Sequence, residues 1–587
     1  MSNPASPPQC CDLVMKGGIT SGVVFPKAAA GLAKVYTFKN IGGTSAGAIA
    51  AAVTAAAEYA RQGGSSKSFD MLAGVPEWLG TGGRLFNMFA PDSSTKALFA
   101  LLTAPMRASS TIGKVFAVLG TVLRHFFLSV LTGVLISAGI AYMAERTMGG
   151  TGRPLGDALA VLVGVIAFAT VLFLQIKRQA LRRLPENFYG LSKAFDPNGT
   201  SAEGPLVNWL SEFLDHLGGK DPSGPPLTFG DLLSRGVNLE VMTTALNHGR
   251  PYRLPFRDPD RVFYFSPTEF RTLFPERVVK QMMEHAPKRE GIPPIGPGGG
   301  QMVAFPDAAN LPVVVATRMS LSFPILISAV PLYAVDFTRK MNQVQGEAPT
   351  AERCWFSDGS ISSNMPIHFF DQAIPRWPTF AINLKDFHPD FQAEADAVWL
   401  PMQNNSGWHT LWTRFEAPGA FGSPIAFLGS MINVMQNWRD NTLSRVPGYR
   451  DRMVHVSQRA DEGGLNLSMP PELVDRLGKR GERAAELLIE RFVQGTGWGN
   501  HRWVRFRSTL QVTTHWLEDI VGAADPSLNA QINGGAPSYA VPPAFQSQFH
   551  QGVNTILTAA QTLPPDSAAL DADAPHPEPE LAIRPKI

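Results

Sequence analysis

A chain of 587 residues, 44% apolar and only 17% charged, is long enough for one large domain with insertions or for two domains. The charge content is low for a soluble protein, so part of the chain is expected to meet lipid. A net charge of +2 neither proposes nor excludes a nucleic-acid partner. Three cysteines, Cys10, Cys11 and Cys354, have no metal-ligand spacing and no paired framework, which fits a reducing compartment and no metal centre. The N-terminal MSNPASPPQCCDLVM lacks a basic region followed by a long apolar run, so no cleaved secretory signal is expected.

In chain order, residues 12–15 read as a short apolar strand, 17–22 as a glycine loop leading into an Ala-rich helix, and 36–41 as a second strand that runs into Gly42 and Gly43. After Ser45 the run AGAIAAAVTAAAEYA favours a helix whose small side chains let it pack closely on a sheet. Residues 62–125 are less regular. Two uncharged stretches follow, 126–144 and 158–176, each close to the roughly 20 residues that span a bilayer. The short Gly-containing loop between them suggests a transmembrane hairpin rather than two buried core helices. Arg124 precedes the first stretch and Lys177, Arg178, Arg182 and Arg183 follow the second, while the loop balances Glu145 and Asp157 against Arg146 and Arg153. By the positive-inside rule both ends are expected on the cytoplasmic side, in a bacterium that of the inner membrane.

Beyond the hairpin, strand patterns at 238–246, 262–266, 354–357 and 379–384 alternate with helical ones such as 206–217 and 471–492. This predicts an α/β fold with a mostly parallel sheet covered by helices. Residues 291–300 read as a surface loop, and the proline-rich end is too polar to pack. The expected organisation is a domain divided over 10–125 and 177–563, a hairpin insertion at 126–176 and a disordered tail at 564–587.

The sharpest chemical signal is Gly43-Thr44-Ser45-Ala46-Gly47, the G-x-S-x-G pattern of a nucleophile elbow. There a serine sits in a strained turn between strand and helix, and the glycines remove side chains that would collide. The pattern recurs by chance in many proteins, but here an apolar strand precedes it and a helix follows. Lys16-Gly17-Gly18-Ile19-Thr20-Ser21-Gly22, directly after the first strand, could aim backbone N–H groups at a developing oxyanion. An ordinary glycine turn is the bland alternative, and the glycine order and G-K-[ST] ending of nucleotide-binding loops are missing. Ser357-Asp358-Gly359-Ser360 follows a strand pattern and, taken alone, would be only a turn.

Together, the glycine loop, the elbow some two dozen residues later and the distant D-G pair resemble the patatin-like phospholipase family. The small-residue stretch Arg318-Met319-Ser320-Leu321-Ser322-Phe323-Pro324 adds to the likeness, which covers 12–60 and roughly 311–384. The resemblance implies a three-layer α/β/α fold and hydrolysis of acyl esters of glycerophospholipids by a Ser–Asp dyad without a cofactor. Carried over, Ser45 is the nucleophile, Asp358 its base, and Gly17, Gly18 and Ile19 the oxyanion hole. Ile19, Ser21 and Ser360 depart from the family's usual residues, which bears on loop geometry and substrate preference. A carboxylate is a weak base, so the chemistry requires a desolvated Asp358 with a raised pKa. The expected partners are a phospholipid membrane and a lipid substrate, with no nucleic acid. Three alternatives compete: a triad using His368, His388 or His409, acyl transfer by the same dyad, and a membrane scaffold without activity.

Overall fold

A computed structural model describes residues 9–579 apart from 108–110, 148–152, 200–203, 258–261, 290–291, 345, 389, 402–422, 460, 465, 524–525, 536–537, 563–571 and 578. His409 and most of the expected tail therefore lie outside the described residues. The described residues form thirteen strands: β1 Cys10–Met15, β2 Thr37–Gly43, β3 Gly190–Ser192, β4 Asn238–Ala245, β5 Arg250–Leu254, β6 Tyr264–Phe265, β7 Val303–Ala304, β8 Ile325–Ile327, β9 Val330–Val335, β10 Ala351–Asp358, β11 Thr379–Asp386, β12 Val398–Trp399 and β13 Met453–Gln458. The helices that matter most are α1 Phe25–Ala33, α2 Ala46–Gln62, α3 Phe127–Thr147, α4 Arg153–Arg178, α5 Val313–Ser320, α6 Ser423–Leu443, α7 Pro471–Ile489 and α8 Gly497–Ala523.

The main sheet runs β12-β13-β11-β1-β2-β4-β10-β9-β6-β7, with β5 paired to β4. It is mixed, which corrects the expectation of a mostly parallel sheet. Its centre, β13-β11-β1-β2-β4, is parallel, whereas β12, β5, β10, β9, β6 and β7 all pair antiparallel. The reason is connectivity. Helical crossovers such as α1 and α2 return the chain to the same edge and make parallel neighbours, while β4–β5 and β9–β10 are joined without a crossover helix and must reverse. The 262–266 pattern supplies only the two residues of β6, and the 471–492 pattern is α7 followed by a π-helical turn at Glu490–Gln494.

Both sheet faces are apolar at the centre, as parallel strands require. Leu13 and Met15 of β1, Leu239 and Val241 of β4, Phe380 and Ile382 of β11, and Val454 and Val456 of β13 enter the large core. The residues alternating with them, Val14, Met242, Ala381 and Met453, enter a second core with Met365, Ile367, Phe369 and Phe370. On the large side α2 packs on β1, β2 and β4, while α1 meets α7. Thirteen residues of α2 are buried, and eight of those from Ala46 to Ala57 are alanines that permit this approach.

α3 and α4 behave differently. They pack on each other, with Ser137 Oγ donating to the Ala160 carbonyl at 3.0 Å, and only Ser129, Gly133 and Ala144 of α3 and Gly156, Ala160 and Gly164 of α4 are buried. Leucines, valines and phenylalanines cover the outside. Both helices are long and apolar enough to cross a membrane.

Candidate active site

Register brings the sequence-distant motifs together. Gly43 at the end of β2 pairs with Val241 of β4, and Thr243, two residues on, pairs with Asp358 of β10. Because β10 runs against β4, its C-terminal residue finishes level with the turn that follows β2. The antiparallel strand that breaks the expected sheet pattern is thus what delivers Asp358 to Ser45.

Ser45 caps α2 with φ 55° and ψ −128°, a conformation unfavourable for a residue with a Cβ. Its surroundings hold it there. A Cβ on Gly43 would collide with the Gly47 carbonyl, and one on Gly47 with the Met15 carbonyl. The Ser45 amide donates to Ser320 Oγ of α5 at 3.2 Å. Ser45 is 2% exposed and Asp358 fully buried.

Asp358 is positioned from three directions. Its amide donates to the Ser322 carbonyl at 3.0 Å, and the same carbonyl accepts from Ser357 Oγ at 2.9 Å. Its Oδ1 accepts from the Ser360 amide at 2.8 Å. Gly359 must lack a side chain because a Cβ would enter the Met242 carbonyl. Among the described residues Oδ2 is buried without a closed hydrogen bond, while the Ser45 hydroxyl lies close enough to favour the charged carboxylate. Such a contact commonly shortens only when substrate binds. Burial pushes the Asp358 carboxyl up to about 6, against the opposing pull of Ser360 and Ser45. Only the ionised form can take a proton, so kcat/KM on a soluble short-chain ester is expected to rise through about pH 6 and level off above it. Stopped-flow or pH-stat rates that stayed flat down to about pH 5 would remove Asp358 as the base.

The glycine loop passes beside Ser45. A Cβ on Gly17 would sit 3.1 Å from Ser45 Cβ and strike Asn364 Oδ1. The sequence reading places Gly17 among the oxyanion donors, but its amide already donates to the Asn364 carbonyl at 2.8 Å. Its part is close approach. Among the described residues the amides of Gly18 and Ile19 have no partner, and Ile19 turns its side chain into the large core, so its branching does not obstruct the loop. Ala46, first in α2, contributes a third N–H without an intrahelical acceptor.

Two residues that the sequence gives no sign of complete the site. Asn364 receives Thr44 Oγ1 on its carbonyl at 2.8 Å, in addition to the Gly17 amide. Asp440 of α6 fixes that segment by accepting from Ser363 Oγ at 2.9 Å and from the amides of Asn364 and Met365 at 2.7 and 2.8 Å. Lys16 donates to the Leu384 carbonyl at 2.9 Å; burial lowers its pKa while Asp440 and Asp386 act against that.

No family model matches the chain. It is 35% identical to the RpoH suppressor of Rhizobium meliloti (strain 1021), and 99% of each chain is covered. The chain belongs to the RpoH suppressor family. That family name specifies neither substrate nor reaction, so the chemistry must be read from the site. Of the three histidines that the sequence offers as a base, His368 and His388 are among the described residues. His368 is kept neutral by burial and by Arg439 and Arg253, which pull it down to about 3, and both its ring nitrogens are buried without partners among the described residues. His388 takes the Asp390 amide on Nδ1 at 3.1 Å in an outer turn.

Proposed function

We propose that the protein is a membrane-held serine acyl hydrolase of the patatin-like kind, acting on acyl esters of glycerophospholipids. The observation that carries this reading is the strained Ser45 at a strand-to-helix turn with the buried, upshifted Asp358 beside it. In the reaction, the Ser45 oxygen attacks the ester carbonyl while its proton passes to Asp358. The amides of Gly18, Ile19 and Ala46 stabilise the oxyanion, and the alcohol leaves with a proton returned by Asp358. Water, deprotonated by the same carboxylate, then releases the fatty acid and frees Ser45. The exposed apolar hairpin supports a bilayer setting, and its basic flanks favour the cytoplasmic side of a bacterial inner membrane.

Lipid mass spectrometry on phospholipid vesicles incubated with the purified protein and with Ser45→Ala tests the reading. Free fatty acid and lysolipid are expected with the first and neither with the second. Acyl chains appearing on another lipid instead of as free acid would make the enzyme a transferase. His368→Gln should keep activity within a few-fold of the parent, measured as kcat on a short-chain ester. A loss of about 10³-fold or more in a folded variant would turn the dyad into a triad.

A further inference from the structure

The chain leaving the membrane helices is built into the support of the catalytic residues. α4 continues through Gln179–Arg183 and Leu184–Glu186, and Phe188 and Tyr189 then turn at φ 55° and 59°. β3 follows at once and pairs with β8, Gly190 opposite Ile325 and Ser192 opposite Ile327. β8 begins three residues after Ser322, whose carbonyl holds Asp358 and Ser357. Arg318, 1% exposed, locks the junction. Its guanidinium donates to Ser322 Oγ at 2.7 Å, to the Ser328 carbonyl at 2.9 Å and to the Lys193 carbonyl at 3.2 Å. One hydrogen-bonded path therefore runs from the segment that follows α4 to the backbone of Asp358.

The outer side of this path is apolar and aromatic. Tyr189 is 48% and Ile325 56% exposed, and half-buried Trp355 of β10 packs edge-on against Tyr189 at 5.1 Å. Ile325 has φ 69°, a conformation that a β-branched residue adopts only when its neighbours impose it. Arg182 and Arg183 are exposed immediately upstream. Tyrosine and tryptophan beside arginines at the end of an apolar span are the residues that settle among lipid headgroups.

We infer that Tyr189, Ile325 and Trp355 form a bilayer-docking face, seated in the anionic headgroup region of the leaflet from which α4 emerges. The face is continuous with the hairpin, and Arg182 and Arg183 complement phosphate charge there. Its consequence for catalysis rests on the hydrolase reading above: the substrate is an acyl lipid drawn from that leaflet, not an ester free in solution.

The test places an environment-sensitive fluorophore at Ile325→Cys, and separately at Tyr189→Cys, in the full chain with Cys10→Ser. Buried Cys11 and Cys354 stay unlabelled. Lys479→Cys, on the exposed side of α7, is the aqueous control. In vesicles of phosphatidylcholine and phosphatidylglycerol, a lipid nitroxide near the headgroup should quench the probes at 325 and 189 and spare the one at 479, and aqueous iodide should do the reverse. Arg182→Glu combined with Arg183→Glu should lower the lipid quenching to its level in phosphatidylcholine alone. Probes at 325 and 189 as open to iodide as the one at 479, and untouched by the nitroxide, would overturn the docking face. Lipid quenching in a preparation that releases no fatty acid would keep the face and defeat the hydrolase reading.

Discussion

Replacing Ser45 by Ala or Asp358 by Asn is expected to abolish ester hydrolysis in a protein that remains folded. Removing a positioned general base typically costs about 10²–10⁴-fold in rate, and removing the nucleophile at least as much. The two act as one unit, so the double variant should be little worse than either single one. Side-chain isosterism keeps the test clean at Asp358, since an amide can still accept from the Ser360 amide as Oδ1 does at 2.8 Å. The stability effect has a definite sign. The folded carboxyl holds its proton up to about 6, against 3.8 for an ordinary aspartate. The native state thus binds more protons across that window, and stability falls as pH rises through it. Asp358→Asn should therefore melt higher than the parent above about pH 6 by differential scanning calorimetry, while turnover is lost. An Asp358→Asn enzyme with near-normal kcat would leave Ser45 without its base.

The turns that hold Ser45 and Asp358 were legible from local sequence because the constraints on them are steric and short-ranged. Gly43 and Gly47 are demanded by carbonyls that any side chain would meet, and Gly359 by the Met242 carbonyl. Such collisions leave their mark as glycines at fixed spacing. The sheet's mixed character was not legible, because a strand pattern shows period and not direction; β10 and β11 read alike, yet one reverses and the other does not. Gly17 shows the limit of a motif: its position beside Ser45 follows from the loop, but the occupation of its amide by the Asn364 carbonyl depends on a segment held by Asp440, 76 residues further along. No local pattern marks an aspartate in a helix as the anchor of a distant turn. Arg318 sits inside a stretch singled out for its small residues, and only the fold shows that it ties the hairpin's exit to Ser322.

Removal of residues 127–178, with the ends bridged by a flexible linker, is expected to release the protein from the membrane fraction. α3 and α4 have 21 and 26 residues, so at about 1.5 Å per residue each is long enough for a hydrocarbon core of about 30 Å. Their apolar side chains face outward, with Val134 58%, Val161 61% and Phe173 63% exposed, an arrangement that water penalises and lipid does not. α2, an apolar helix of 17 residues, instead buries most of its surface in the core. Polar contacts gather at the loop end, where Arg153 pairs with Glu145 at 3.2 Å and Arg146 covers Tyr142 at 4.9 Å. Because the two helices run antiparallel, a crossing by both would leave the Ser45 segment before them and the Asp358 segment after them on one side, as a shared site requires. The shortened protein should keep its short-chain esterase activity and lose most of its activity on vesicles, whereas the parent should resist alkaline extraction. Should the deletion not fold, topology decides the matter in the full chain. With Cys10→Ser, a cysteine replacing exposed Thr147 should react with an impermeant thiol reagent in intact cells. Labelling only after the cells are opened would put the loop inside and defeat the hairpin.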